Sequence, residues 1–172
     1  MSDYRITYPH RRIFAVPRLR DATCFLAGVG YHPPMHEAAA GKTYPEVPFR
    51  VDPGRVVAFR EVFDQVEGVP TTFVTAAEFT VIPDIMTDPE LGIDFSRVLH
   101  GSQEYEYRRP LREGEDLTIR SRIESIRSMG ANAFLVLVTE LVEPGGDVVC
   151  TARSTLIERA PDRLRADRSQ AD

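Results

Sequence analysis

The chain has few cysteines, no excess of basic charge and no long apolar run. Its two cysteines, Cys24 and Cys150, lie far apart without a CxxC pair, which favours free thiols and a cytoplasmic protein over a disulfide framework. Acidic residues outnumber basic ones by 26 to 21, which disfavours a nucleic-acid or anionic-membrane binder. No apolar run approaches a membrane span, and residues 1–5 lack the apolar core of a signal peptide.

The sequence contains enough hydrophobic residues to form one hydrophobic core. Hydrophobic residues make up 42% of 172 residues, and no internal repeat is visible. This length and composition predict a single domain.

The first helix is predicted to start at Asp52-Pro53. Asp is a good N-cap, and Pro is favoured at the first helical position because no N–H is needed there. Apolar residues follow at helical spacing, and Gly68 is the predicted stop. The predicted apolar stripe consists of Val56, Phe59, Phe63 and Val66.

A second helix is predicted over residues 71–82, ending at Pro83. The small and apolar residues of this segment suit a buried helix, although its β-branched residues also allow a strand. Residues 84–98 are predicted to form a loop with a short helix.

The rest of the chain reads as antiparallel β-structure. A strand starting at Gly101 should alternate its side chains, with Gln103, Tyr105 and Tyr107 on one face. A corner follows at Pro110 and Gly114. Further strands are predicted over residues 116–126, 134–141 and 148–158, with turns at 128–132 and 144–147. Two helices followed by a meander indicate an α+β fold.

Three motifs in this order resemble a known family. They are the helix start Pro70-Thr71-Thr72-Phe73, the stretch His100-Gly101-Ser102-Gln103, and the corner Arg109-Pro110-Leu111 with Gly114 and Leu117. Together they resemble MaoC-like hot-dog dehydratases, and within that superfamily the N-terminal type-I-fatty-acid-synthase-like dehydratase domain. Ser102 replaces the family's Glu, and Glu115 precedes Asp116 where the family has a single Asp.

The resemblance implies a single hot-dog fold, a curved antiparallel sheet wrapped around a central helix. It divides the chain into an N-terminal arm over residues 1–43, a hot-dog domain over 44–160 and a charged tail over 161–172. It also implies a dimer, with itself or with a second hot-dog protein, joined edge to edge by the sheets. The implied ligand is an acyl thioester of coenzyme A or of acyl carrier protein, without a cofactor.

The resemblance further implies hydration or dehydration of that thioester, but the usual catalytic pair is missing. The family motif is G-D-x-N-P-x-H. Here Asp64 can be aligned with the motif Asp, while Val66 and Val69 replace its Asn and His. A valine cannot move a proton. Because no second hot-dog follows in this chain, we expect an acyl-binding subunit that obtains at least part of its catalysis from a partner.

The candidate catalytic residues are therefore Asp64 and His100, both as substitutes for the missing pair. The backbone N–H groups of Thr71, Thr72 and Phe73, at the start of the central helix, are candidates for polarising the thioester carbonyl. His32, His36 and Glu37 invite a metal interpretation, which we reject because the two prolines between the histidines prevent one helical face.

Two other functions remain open from the sequence. One is an acyl-CoA thioesterase in which Asp64 or Glu67 activates water, since hot-dog proteins include such enzymes. The other is a non-catalytic acyl-binding or structural subunit, which the missing His favours.

Overall fold

In the computed structural model, residues 35–160 are described in full and residues 5–6 by their backbone. These residues form one antiparallel sheet of six strands, in the order β1-β3-β6-β5-β4-β2. The strands are β1 (Arg5–Ile6), β2 (Val47–Arg50), β3 (Val98–Tyr107), β4 (Asp116–Met129), β5 (Asn132–Val142) and β6 (Val148–Glu158). The α-helices are α1 (Pro53–Val62) and α2 (Thr75–Met86), and short 3-10 helices span Glu37–Ala39, Thr71–Val74 and Phe95–Arg97.

Helix α2 is the central helix of a hot-dog fold. Ala76, Ala77, Val81 and Ile85 of this helix are buried in the same core as the inward residues of β4, β5 and β6. Strand β5 is central in the sheet and is buried along most of its length, as its apolar sequence predicted. The predicted α+β hot-dog fold is confirmed. Among the described helices, none is long and apolar enough to cross a membrane.

The predicted bounds of the central helix are wrong at both ends. The segment from Thr71 to Val74 is 3-10, and the α-helix continues through Pro83 to Met86. Proline lacks the N–H that would bond the carbonyl of Phe79. Pro83 and Phe79 both lie on the exposed side of the helix, so water can hydrate that carbonyl and the helix tolerates the proline.

Helix α1 begins as predicted and ends early. The Asp52 side chain accepts a hydrogen bond from the Arg55 N–H at 2.8 Å, and Pro53 is the first helical residue. The helix stops at Val62 rather than Gly68. The predicted stripe is therefore buried only at its start, and Phe63 and Val66 are 57% and 93% exposed.

Strand β2 is absent from the sequence-based prediction because it contains Pro48. Proline cannot donate to a ladder and is tolerated on edge strands. Among the residues that the structure describes, β2 pairs only with β4, with Phe49 opposite Leu117. The described part of the predicted N-terminal arm also packs on the domain, since Met35 belongs to the core and Thr43 forms a bridge with Arg122.

The remaining strands agree with prediction or extend it. Strand β3 begins three residues before Gly101, at Val98, and β4 continues to Met129, so that the β4–β5 connection is a tight turn. Strand β6 has the predicted bounds. Residues 84–86, predicted to lie in a loop, belong to α2.

Candidate functional site

A cavity of about 350 Å³ lies between α2 and the sheet. Its wall comes from α2 on one side and from β3, β5 and β6 on the other. Most of that wall is apolar, while Glu78, His100, Gln103 and Ser154 supply polar groups. The main apolar lining residues are Phe79, Ile82, Met86, Val98, Leu137 and Leu156.

Glu78 is the carboxyl group of this cavity and is only 3% exposed. Its Oε1 lies 2.8 Å from Ser154 Oγ and accepts a hydrogen bond from Gln103 Nε2 at 3.1 Å. Its Oε2 accepts from the Tyr105 hydroxyl at 3.2 Å. The central helix is thus joined to β3 and β6 through one buried side chain.

Burial raises the pKa of Glu78 above its ordinary value, because the charged form loses its hydration. The hydrogen bonds from Ser154, Gln103 and Tyr105 oppose this rise, and so does the charge of nearby His100. Desolvation is the largest of these effects, so the protonated carboxyl is favoured more than in an exposed glutamate.

His100 reaches the same cavity because of a bulge in β3. The ladder to β6 pairs His100 with Leu156 and Ser102 with Thr155, which leaves Gly101 as an extra residue. Residues three apart in a regular strand face opposite sides. The bulge reverses this, so that His100 Nε2 lies 3.0 Å from Gln103 Oε1.

Gly101 makes this bulge possible. A Cβ at this position would meet Ile157 Cδ1 at 2.9 Å and the Thr155 carbonyl oxygen at 3.2 Å. The backbone of β3 therefore approaches β6 more closely than a side chain would allow.

The other predicted catalytic residue, Asp64, lies outside the cavity. It is exposed in the turn after α1, with a φ of 51° in the left-handed region. Glu67, the alternative carboxylate, is exposed in the same turn. The structure therefore joins His100 to a carboxyl group, but that group is Glu78.

The predicted thioester donors lie in the 3-10 turn before α2. The Phe73 N–H already donates to the Pro70 carbonyl at 2.8 Å. The Tyr107 hydroxyl donates to the Thr71 carbonyl. Donation from Thr71 and Thr72 to a thioester stays a prediction.

Buried groups beside this turn are held neutral. Desolvation raises the pKa of Tyr107 strongly. Desolvation also raises the pKa of buried Cys150, opposite Tyr107 in the β3–β6 ladder, to about 12. Cys24 lies outside the described residues.

His36 and Glu37 make hydrogen-bond contacts with backbone groups of neighbouring segments. His36 Nδ1 lies 3.0 Å from the Glu90 carbonyl oxygen, and Glu37 Oε1 accepts from the Ser128 N–H at 2.8 Å. His32 lies outside the described residues. Within residues 35–160, no three metal-ligating side chains converge.

Glu78 is not among the candidates named from the sequence, although its sequence context indicates a functional or structural role. It is the one charged residue in the otherwise uncharged run of residues 71–82. A charge inside a helix predicted to be buried needs hydrogen-bonding partners, and Gln103 and Tyr105 were already predicted to share one face of β3. The pairing of that face with α2 requires the three-dimensional fold.

The antiparallel sheet wrapped around the central helix α2 defines a hot-dog fold. A family model described as "FAS1-like, dehydratase domain region" matches residues 55–152. The chain belongs to this family, within the MaoC-like hot-dog superfamily.

Curated relatives carry the name UPF0336 protein. That of Streptomyces coelicolor is 42% identical over 93 residues, which cover 54% of this chain and 62% of the relative. That of Leifsonia xyli subsp. xyli is 32% identical over 148 residues, covering 75% of this chain and 99% of the relative. The chain's match to the Streptomyces coelicolor relative spans less than two thirds of that relative's length.

Solved structures share the fold at low sequence identity. A MaoC-like dehydratase matches with a TM-score of 0.62 and 19% identity, over 73% of this chain and 44% of that one. A chain of the C-terminally truncated HadBC (3R-hydroxyacyl-ACP dehydratase) complex from Mycobacterium tuberculosis matches with a TM-score of 0.59 and 20% identity, over 69% and 96% of the two chains.

Proposed function

We propose that this protein is the acyl-binding subunit of a 3-hydroxyacyl-thioester dehydratase or enoyl-thioester hydratase. The observation that carries this proposal is the cavity beside α2, with an apolar wall for an acyl chain and a small polar group of side chains at Glu78. Ligand sites of this kind combine a mostly apolar lining with a few polar groups that fix orientation.

The subunit role rests on the residues around Asp64. Val66 and Val69 occupy the positions of the motif Asn and His, so the usual proton-transfer pair is incomplete in this chain. Three apolar side chains near Asp64, at the end of α1 and just after it, are exposed to solvent. They are Val62, Phe63 and Val66. We propose that a second hot-dog protein bearing G-D-x-N-P-x-H completes the assembly, as the similar HadBC structure is itself a complex by name.

The outer edge of β3 is the proposed contact of the two sheets. Among the described residues, β1 pairs with β3 only at Tyr105 and Glu106. Within residues 35–160, no strand covers this side of β3 from Val98 to Glu104, and we propose that a strand of the partner pairs there. A second copy of this chain is the alternative partner.

Calorimetric titration with octanoyl-CoA, and with free CoA as the ligand control, tests the acyl site. We expect octanoyl-CoA to bind more tightly than CoA because the acyl chain is buried in the cavity. Ile82→Trp fills the cavity and should abolish that difference. Val57→Trp, on the exposed side of α1, is the matched control and should keep it. Equal affinities of the wild-type chain for octanoyl-CoA and CoA would contradict the proposal.

A further inference from the structure

The hydrogen-bond contacts among the side chains of Glu78, Ser154 and Gln103 limit where their protons can lie. Ser154 Oγ is 2.8 Å from Glu78 Oε1 and 2.6 Å from Gln103 Oε1, and Gln103 Nε2 is 3.1 Å from Glu78 Oε1. A serine hydroxyl has a single proton, while an amide oxygen and an ionised carboxylate have none. Ser154 can therefore satisfy only one of its two oxygen contacts.

A proton on Glu78 accounts for both oxygen contacts of Ser154 in either orientation of the Gln103 amide. With the amide of Gln103 as described, Ser154 must donate to Gln103 Oε1, and the contact between Ser154 and Glu78 requires a carboxyl proton. With the amide rotated by 180°, the oxygens of Gln103 and Glu78 face each other, and that contact requires the same proton. A protonated Glu78 thus satisfies these contacts in both orientations, in agreement with the direction in which burial moves its pKa.

His100 lies at the other end of this network. Its Nε2 contacts Gln103 Oε1 at 3.0 Å, its ring is exposed, and it lines the same cavity as Glu78. A neutral carboxylic acid and an imidazole in different environments on one cavity wall are the arrangement expected of an acid and a base.

We propose that Glu78 and His100 form a proton-transfer pair of this chain's own, which dehydrates a 3-hydroxyacyl thioester bound in the cavity and hydrates the enoyl thioester in reverse. This inference rests on the proposed acyl site. It assigns catalysis to residues outside the G-D-x-N-P-x-H segment, and Gln103 is the positioning residue between the two.

The step balances without a further reactant. The Cα–H bond breaks, its proton passes to His100, and its electron pair forms the Cα=Cβ bond. The Cβ–O bond breaks, and the leaving hydroxyl takes the Glu78 proton and departs as water. Glu78 is then a carboxylate and His100 an imidazolium, and exchange with water after product release restores both.

Hydration of crotonyl-CoA by the purified full chain, followed by loss of the enoyl absorbance, tests the pair. Glu78→Gln keeps the shape of the side chain but removes its ionisable proton, so proton transfer is lost with little change in packing. We expect turnover to fall about 10²–10⁴-fold, with octanoyl-CoA affinity and melting temperature retained. Asp147→Asn, which removes an exposed carboxylate from the β5–β6 turn, should leave turnover unchanged.

His100→Ala is the second variant, because an exposed side chain can be removed without unfolding the chain. It should also lower turnover. If the wild-type chain fails to bind octanoyl-CoA, the proposed acyl site fails. If it binds but shows no hydration, or if Glu78→Gln hydrates as fast as wild type, only the present inference is overturned. Release of free CoA thiol that depends on Glu78 would assign the residue to thioester hydrolysis and would likewise overturn it.

Discussion

His100 and Gln103 are three residues apart in one strand, and yet their side chains meet on the same face, with His100 Nε2 3.0 Å from Gln103 Oε1. The bulge at Gly101 causes this, because it adds one residue between the two. The same bulge brings His100 to the cavity that holds Glu78, so a backbone irregularity assembles the polar part of the site.

Gly101→Ala should therefore destabilise the chain. The new Cβ would lie 2.9 Å from Ile157 Cδ1 and 3.2 Å from the Thr155 carbonyl oxygen, and such overpacking costs about 1–3 kcal/mol. Ile157→Val removes the Cδ1 atom, so the loss caused by Gly101→Ala should be smaller in that background. Urea unfolding of the four proteins of this cycle measures both effects. Equal losses in the two backgrounds would show that Ile157 is not the group that excludes a side chain.

Glu78 should make stability depend on pH. Below the ordinary pKa of 4.5, the carboxyl is protonated in both the folded and unfolded states and contributes nothing. As pH rises above that value, the unfolded state ionises first, so the free energy of unfolding falls until the raised folded pKa is passed. Glu78→Gln lacks this loss, so its stability relative to wild type should increase as pH rises above 4.5.

Denaturant unfolding of Glu78→Gln and of Glu104→Gln across that range checks this pH dependence. Glu104 is exposed, so its variant is the control for a lost carboxylate. A pH-independent difference for Glu78→Gln would mean that the folded pKa of Glu78 is not raised.

Most of the fold could be predicted because its signals are local. Asp52-Pro53 marked the start of α1, and the turn at residues 144–147 fixed the start of β6. The errors arose where tertiary contacts override local preference. Pro48 is tolerated because β2 lies at the sheet edge, and Pro83 because it faces water. His100, which lines the cavity, was among the residues named from the sequence. Glu78 was recognisable only from the packing of α2 on β3 and β6.

Arg109 should stabilise the corner between β3 and β4. Its guanidinium contacts Glu115 Oε2 at 2.8 Å and Glu143 Oε1 through Nε at 2.7 Å, and its side chain is 22% exposed. Arg109→Leu leaves both carboxylates without this partner and should cost about 1–2 kcal/mol, below the cost for a fully buried pair.

Arg108→Leu is the matched control for this prediction. Arg108 is adjacent in sequence, but its side chain is 67% exposed and pairs only with exposed Glu106 among the described contacts. Its replacement should change the free energy of unfolding by no more than about 0.5 kcal/mol. Similar losses for both arginines, measured by urea unfolding, would contradict a specific role for Arg109.

Turnover should increase when a catalytic partner is present. The Asp/His pair of a G-D-x-N-P-x-H hot-dog protein is worth about 10²–10⁴ in rate, so a co-purified complex should hydrate crotonyl-CoA much faster than this chain or the partner alone. Light scattering should show a dimer mass for the complex. Full activity of this chain without a partner would contradict the subunit role, although it would agree with catalysis by Glu78.

The position of the acyl chain tests the account most directly. A CoA thioester with a photoreactive diazirine near the end of its acyl chain can be crosslinked to the purified protein, and the labelled residues identified by mass spectrometry. We predict labelling in α2, at Ile82 or Met86, and its suppression by excess octanoyl-CoA. Labelling confined to the exposed apolar residues Val62, Phe63 and Val66, or labelling that octanoyl-CoA does not suppress, would contradict acyl binding in the cavity.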